Sequence, residues 1–166
     1  MKKKKTASLQ LGSCPQHSLK KHLALKNKIK KNEGFRDIAY LDSLGYATIG
    51  YGHLIKPKEK NLLYRKTSKK KLLEIFIKDF DKALNDYEKF YKKNEHNQST
   101  KEVLVEMIFQ LGIDKQRRFV KMNGYLQEKQ LFMASLEMKD SLWHKQTPKR
   151  VDGLIASLLR WSHDNQ

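Results

Sequence analysis

Residues 32 to 54 read NEGFRDIAYLDSLGYATIGYGHL, and this stretch decides the fold. Ahead of it, Ser18 can cap a helix that is expected to run to about Lys31, and Gly34 suits its C-terminus. The predicted apolar side of this helix consists of Leu19, Leu23, Leu25 and Ile29. Aromatic and β-branched residues then flank a glycine-containing turn, which predicts a small antiparallel hairpin sheet. The apolar spacing after residue 67 is helical again. The sequence therefore predicts an α+β fold with a small sheet near the N-terminus.

Helix boundaries can be placed in the second part of the chain. Thr67 or Ser68 can cap a long helix, after a lysine-rich connection over residues 56–66. Ser99 and Glu102 have the spacing of a capping box, and Gly112 would end the helix that they begin. One or two shorter helices are expected over residues 125–138. Pro148 suits the first position of the last helix.

Glu33, Asp42 and Thr48 are the candidate catalytic residues. Cleavage of a glycosidic bond needs a protonated group beside the leaving oxygen and a second carboxylate opposite it. Glu33 lies at an expected helix C-terminus, where the helix dipole disfavours its ionisation, whereas Asp42 lies in a polar turn. Thr48 offers a hydroxyl that can hold water. The plain alternative is a glutamate that ends a helix and an aspartate that forms a turn.

Three further residues have two interpretations each. His53 follows the expected sheet and could form a structural ion pair with Asp79 on the next helix, or could act in catalysis. Arg150 begins the last helix, where it could be solvated or could cross the cleft to orient Glu33. The histidines have no ligand spacing and the chain has one cysteine, so neither a metal site nor a disulfide is expected.

The net charge of +17, from 35 basic and 18 acidic residues, predicts attraction to polyanions. Nucleic acid, anionic lipid and the anionic bacterial envelope all satisfy that requirement. No apolar run approaches the length of a membrane span, and no convincing export signal begins the chain. Residues 1–17 are expected to form a basic, poorly ordered tail, followed by one domain over residues 18–166.

Four segments resemble the phage lysozymes (endolysins) of glycoside hydrolase family 24. The first is residues 32–54, in which the glutamate, the aspartate nine residues later, the threonine and the run TIGYGH follow the family's order and spacing. The others are residues 76–81 (FIKDFD), 107–112 (MIFQLG) and 143–150 (WHKQTPKR). The resemblance covers roughly residues 20–160 and implies a sheet lobe and a larger helical lobe with a cleft between them.

The resemblance also implies an activity, namely hydrolysis of the β-1,4 bond between N-acetylmuramic acid and N-acetylglucosamine in peptidoglycan. It implies Glu33 as general acid, Asp42 as the base that activates water, and Thr48 as the residue that positions that water, with inversion at the sugar. Residues at family positions that line the saccharide cleft are Leu54, Phe109 and Gln110, and supporting roles fall to His53, Asp79 and Arg150. No cofactor is implied. A monomer is expected, made in the host cytoplasm and released to the cell wall with the help of a pore-forming protein (a holin).

Departures from the family concern the walls of the cleft. The connection from His53 to Asp79 is short and is expected to lack a small helix. Two substrate-contact positions carry Met122 and Glu137, which puts glycan and stem-peptide preference in question. Two other function classes stay open, a binding or membrane-perturbing protein on the same fold and a nucleic-acid-binding protein. Intact Glu33, Asp42 and Thr48 oppose the first, and the lack of a nucleic-acid motif opposes the second.

Overall fold

The computed structural model describes residues 22–42 and 45–160, in which one helix and a three-stranded antiparallel sheet precede a series of helices. The predicted α+β fold is confirmed, and Ser18, Leu19 and the proposed tail lie outside the described residues. In chain order the elements are α1 (Leu23–Glu33), β1 (Arg36–Leu41), β2 (Ala47–Gly50), β3 (His53–Leu54), a 3₁₀ helix (Pro57–Leu62), α2 (Lys69–Phe90), α3 (Gln98–Leu111), α4 (Ile113–Gln116), α5 (Val120–Gln127), α6 (Leu131–Lys139), α7 (Leu142–Gln146) and α8 (Pro148–Arg160).

The sheet has the order β1-β2-β3, with β2 in the centre. Thr48 is paired with Tyr40 on one side and with Leu54 on the other. Directly opposed residues of antiparallel strands point to the same face, so these three side chains share one face of the sheet. Ile49, on the other face, is fully buried against Leu62 and Leu72. This small apolar cluster fastens the sheet to α2.

Helix α3 is the centre of the helical part. Six consecutive side chains, residues 103–108, are buried, because other helices surround this segment on every side. Helix α2 is amphipathic instead, and it buries one stripe that includes Phe76 and Phe80. Other fully buried side chains of the core are Met122, Met138, Leu154 and Leu158. The core is therefore contiguous from α1 to α8.

Two predicted details of the helices are wrong. Helix α3 is capped by Asn97, whose side chain accepts a hydrogen bond from the amide of Thr100 at 2.8 Å. Ser99 is already helical, and its hydroxyl donates to the carbonyl of Ser157. In α1, Leu23 is exposed while Lys26 is buried with its ammonium 4.8 Å from the centre of the Phe80 ring. A lysine stem can bury apolar surface in this way, although its charge marks it as a surface residue.

The connection after the sheet contains a short helix, contrary to expectation. Pro57 occupies the first position of the 3₁₀ helix, and the Glu59 carboxylate accepts a hydrogen bond from the amide of Lys56 at 3.0 Å. Leu62 is buried at its end. Ser68 caps α2 and Pro148 opens α8, as predicted. The shorter helices between them begin at Val120, five residues earlier than expected, and α4 and α7 were not predicted.

Candidate active site

Glu33 lies at the C-terminal end of α1 and contacts the first turn of α8. Arg150 Nη2 donates a hydrogen bond to Glu33 Oε1 at 2.7 Å, and both side chains are largely buried, with 10% and 16% of their surface exposed. Sequence reasoning left Arg150 either solvated or reaching across the cleft. The structure shows the second arrangement. A charge-assisted contact of this kind fixes the direction in which the carboxylate points.

Gly52 closes the other side of the Glu33 carboxylate. A Cβ atom built on Gly52 would lie 2.7 Å from Glu33 Oε2, closer than any real contact of that type. Gly52 also has φ of +79°, which an L side chain rarely adopts. Because residue 52 has no side chain, the turn between β2 and β3 approaches Glu33 this closely without displacing its carboxylate from Arg150.

Arg150 also contacts another carboxylate, that of Glu106, which is completely buried. Arg150 Nε lies 3.4 Å from Glu106 Oε1, so one guanidinium contacts both carboxylates. Asn32 Nδ2 donates to the same oxygen at 2.6 Å, and Lys28 Nζ lies 3.4 Å from Oε2. Sequence reasoning missed Glu106, since within the sequence it is one more acidic residue on a helix.

Asp42 and Thr48 lie on the sheet side. Asp42 Oδ1 accepts a hydrogen bond from the amide of Tyr46 at 2.9 Å, which holds the carboxylate against its own turn. Thr48 is buried, and its hydroxyl donates to the carbonyl of Tyr46 at 3.2 Å. Asp42 and Thr48 are therefore tied to the same residue, Tyr46, on the chain between them.

Tyr40, the strand partner of Thr48, lies within electrostatic range of both catalytic candidates. Burial raises the pKa of the Tyr40 hydroxyl, the Arg36 guanidinium opposes that change, and the charges of Glu33 and Asp42 add to it. The Arg36 guanidinium lies 4.5 Å from the centre of the Tyr40 ring. The two carboxylates therefore act on a common region, although they come from different elements.

The three predicted cleft residues meet in one groove between the sheet and the helical part. Leu54 comes from β3, whereas Phe109 and Gln110 come from the end of α3, and together with Gly52 they line a space of about 320 Å³. Leu54 is half exposed and is free to contact a ligand. Gln110 is held in place because Trp143 Nε1 donates to its Oε1 at 2.9 Å. Gly52 connects this groove with Glu33.

His53 contacts two acids and not one. Its Nδ1 lies 2.6 Å from Asp79 Oδ2, the pair predicted from the sequence, and its Nε2 lies 3.1 Å from Glu59 Oε2. The hydrogen bond to Asp79 raises the pKa of His53 despite its burial. Burial pushes the pKa of Glu59 upward, but hydrogen bonds from the Lys56 amide and from His53 lower it overall. Glu59 was missed because only the 3₁₀ helix brings it to the ring.

Met122 and Glu137 line a separate depression together with Phe119 and Ser141. Met122 is almost fully buried, so at this position the chain offers packing and little surface to a ligand. Over residues 22–42 and 45–160, no group of histidine, cysteine and acidic side chains is arranged to hold a metal ion. In the same part of the chain, no helix is both long and apolar enough to cross a membrane.

Comparison with known proteins decides the family. The model of the family described as phage lysozyme matches residues 30–159, which is most of the chain. The chain belongs to the phage lysozyme family. Two relatives come from Dictyostelium discoideum: Probable T4-type lysozyme 2, 34% identical over 158 residues, and Probable T4-type lysozyme 1, 30% identical over 158 residues. Each alignment covers 80% of this chain and 92% of the relative.

A third relative is much longer than this chain and is matched over only part of its length. The Pre-baseplate central spike protein Gp5 of Enterobacteria phage T4 is 25% identical over 160 residues, which is 83% of this chain but 28% of the spike protein. Membership of the phage lysozyme family identifies the chain as a glycoside hydrolase of lysozyme type with peptidoglycan as its substrate. The matched residues include Glu33, Asp42, Thr48 and the residues that line the groove.

Proposed function

We propose that this phage lysozyme hydrolyses the β-1,4 bond between N-acetylmuramic acid and N-acetylglucosamine with inversion, as an enzyme of glycoside hydrolase family 24. The observation that carries the proposal is that two carboxylates from different elements, Glu33 and Asp42, both act electrostatically on Tyr40, while Gly52 joins Glu33 to the groove. Glu33 is oriented by Arg150, and Asp42 is fixed to the turn that also holds Thr48. An inverting hydrolase uses such a pair on opposite faces of the sugar.

Each residue has one task in this reaction. Glu33 gives its proton to the glycosidic oxygen as the bond from that oxygen to the anomeric carbon breaks. A water molecule held by Thr48 and Asp42 attacks the anomeric carbon from the opposite face, and Asp42 takes the proton that the water loses. Leu54, Phe109 and Gln110 bind the neighbouring sugars in the groove. His53 and Asp79 stabilise the sheet beside the reacting groups.

Purified sacculi provide the test. We expect the wild type to release muramic-acid reducing ends, and Glu33→Gln and Asp42→Asn to lose roughly a thousandfold in rate while they stay folded. Nuclear magnetic resonance of the first product formed should show the α-anomer, since inversion converts the β bond. Full activity of folded Glu33→Gln would reject the assignment, and a first-formed β-anomer would reject inversion. Binding to sacculi without hydrolysis would favour the binding or membrane-perturbing alternative.

The biological role that we propose is lysis of a bacterial host from within. The enzyme would stay in the host cytoplasm until a separate pore-forming protein releases it to the cell wall. The resemblance to endolysins and the net charge of +17, which attracts the protein to the anionic envelope, support this role. Expression in a bacterium should cause lysis only after the inner membrane is permeabilised. Lysis without permeabilisation would contradict this route of release.

A further inference from the structure

Glu106 is a buried carboxylate for which the reaction above has no use. It has no exposed surface and lies on α3, the central helix of the core. An ionised carboxylate in such a place is strongly destabilising unless its charge is compensated, and an uncharged side chain would avoid that cost. Its charge therefore calls for an explanation in terms of its neighbours.

Those neighbours connect Glu106 directly to the catalytic acid. The charged groups that face it are Arg150 from α8 and Lys28 from α1, and Asn32 adds a neutral hydrogen bond. The Arg150 guanidinium uses Nε for Glu106, at 3.4 Å, and Nη2 for Glu33, at 2.7 Å. Two carboxylates thus share one guanidinium, and Lys28 supplies a second, half-exposed cation on the far side of Glu106.

This sharing resolves a conflict in the site. An arginine beside a carboxylate orients it but also favours its ionised form, in which it cannot donate a proton. A negative charge on the other side of the same arginine opposes that electrostatic effect and leaves the hydrogen bond in place. The effect is strong here because burial of the three groups limits screening by water.

We propose that Glu106 is a positioning residue for the general acid. Its negative charge offsets part of the positive charge of Arg150, so that Arg150 can orient Glu33 without keeping it ionised. The proposal rests on the function given above, in which Glu33 donates the proton. It concerns the pH range in which the enzyme is active.

Two substitutions with opposite expected effects test the proposal. Glu106→Gln keeps the shape and an acceptor for Asn32 but removes the charge, so the alkaline limb of kcat/KM against pH should move to lower pH by about one unit. Lys28→Met removes a cation from the other side of Glu106, and the same limb should move to higher pH by about half a unit, because water partly screens this lysine. Val103→Ala, a buried change on the same helix, should lower stability and leave the limb in place.

A second measurement does not depend on activity. In a titration of the Glu33 side-chain carboxyl carbon by nuclear magnetic resonance, the midpoint should move in the same two directions in Glu106→Gln and Lys28→Met. Should Glu106→Gln fail to fold, the half-exposed Lys28→Met still carries the test. Unchanged midpoints in folded variants, or shifts of the same sign in both, would overturn the proposal. A wild type that does not hydrolyse sacculi would instead reject the proposed function, and the titration would still report the coupling.

Discussion

Glu33 is held from two sides, by the Arg150 guanidinium and by the bare backbone of Gly52. We expect Gly52→Ala to lower kcat/KM by about a hundredfold, because the new methyl group would displace Glu33 Oε2, which lies 2.7 Å from its position. The positive φ adds a stability cost of about 1 kcal/mol. Hydrolysis of soluble peptidoglycan fragments and thermal unfolding measure the two effects separately.

Gly112 supplies the matched control for that substitution. Its φ is +80°, against +79° for Gly52, and a Cβ there meets no atom within 4 Å. Gly112→Ala should therefore lose similar stability and keep its kcat on the same substrate, with any change confined to KM because Gly112 also lines the groove. Equal rate losses in both alanine variants would show that backbone strain, and not contact with Glu33, is responsible.

Single residues show where sequence reasoning stops. Glu33, Asp42 and Thr48 were proposed because their residue types suit the chemistry and their order and spacing resemble those of phage lysozymes. Glu106 and Glu59 could not, since each gains its importance from a partner that only the fold supplies. For Arg150 the sequence offered two arrangements, and the choice depended on where α8 begins relative to α1.

His53 joins three elements, β3, the 3₁₀ helix and α2, through its bonds to Glu59 and Asp79. His53→Asn should lower the free energy of unfolding by roughly 2 kcal/mol, because hydrogen bonds to charged groups are lost in a buried place. The rate at the temperature of the assay should change little. Denaturant unfolding and kinetics on soluble fragments check this, and a large rate loss at unchanged stability would make His53 catalytic.

The stabilisation by His53 should depend on pH in a definite direction. Its pKa in the fold is raised above the ordinary value of 6.5, so the contribution is complete below pH 6.5 and is lost as the pH rises through the folded pKa. Glu59 has a lowered pKa, so its share is lost as the pH falls below about 4.5 and through the folded value. The difference in unfolding free energy between wild type and His53→Asn should therefore be largest between those limits.

His96→Asn gives a comparison of opposite sign for that pH series. Burial lowers the pKa of His96, so the stability that it contributes is lost as the pH falls below 6.5. The difference between the wild type and this variant should shrink in acid, where the difference for His53→Asn is still large. Parallel trends for both histidines would contradict the assigned directions.

The Asn97 cap is expected to stabilise the first turn of α3. Asn97→Ala removes the side-chain acceptor for the Thr100 amide and should lower the free energy of unfolding by about 1 kcal/mol. Ser99→Ala serves as the comparison, since it removes a hydrogen bond to Ser157 on α8 and leaves the cap intact. Amide hydrogen exchange in the first turn of α3 should rise in Asn97→Ala only. Faster exchange in Ser99→Ala alone would show that Ser99 caps the helix, as the capping-box spacing predicts.

Elements were easier to predict from sequence than their ends. The period of the apolar residues identifies α2, α3 and α8, because each buries one face or more in the core. The cap of α3 was missed because Asn97 and Ser99 are both good capping residues two positions apart. The 3₁₀ helix was missed because six residues hold too little apolar periodicity, although Pro57 and Glu59 have the spacing that begins a helix.

At the scale of the whole molecule, the cleft lies where the three-stranded sheet meets the helical part. The sheet contributes residues 52–54 and α3 contributes residues 108–111 to the same groove. The small cluster around Ile49 holds the sheet to α2, and His53 adds polar bonds across the same junction. The sequence predicted this arrangement through a resemblance covering most of the chain, since no periodicity specifies how two parts of a fold are oriented.

The net charge of +17 makes a prediction about the whole molecule. Attraction to an anionic cell wall is long-ranged and weakens as salt shortens the screening length, from about 10 Å at 0.1 M to about 3 Å at 1 M. Binding of the inactive Glu33→Gln variant to sacculi should fall steeply over that range. Hydrolysis of small soluble fragments by the wild type should change less, because their binding depends mainly on the groove and they carry few charges.

Removal of residues 1–17 tests how much of the attraction to the cell wall comes from the lysines of this segment. The segment carries four lysines, Lys2 to Lys5, and no acidic residue. We expect the shortened enzyme to keep its activity on soluble fragments, since every contact described at the site involves residues from Lys28 onward. Its attachment to sacculi at low salt should weaken, and the slope against salt should become shallower because fewer positive charges take part. Lost activity on the fragments would instead show that this segment belongs to the catalytic fold, and an unchanged salt slope would assign the attraction to the lysines of the remaining chain.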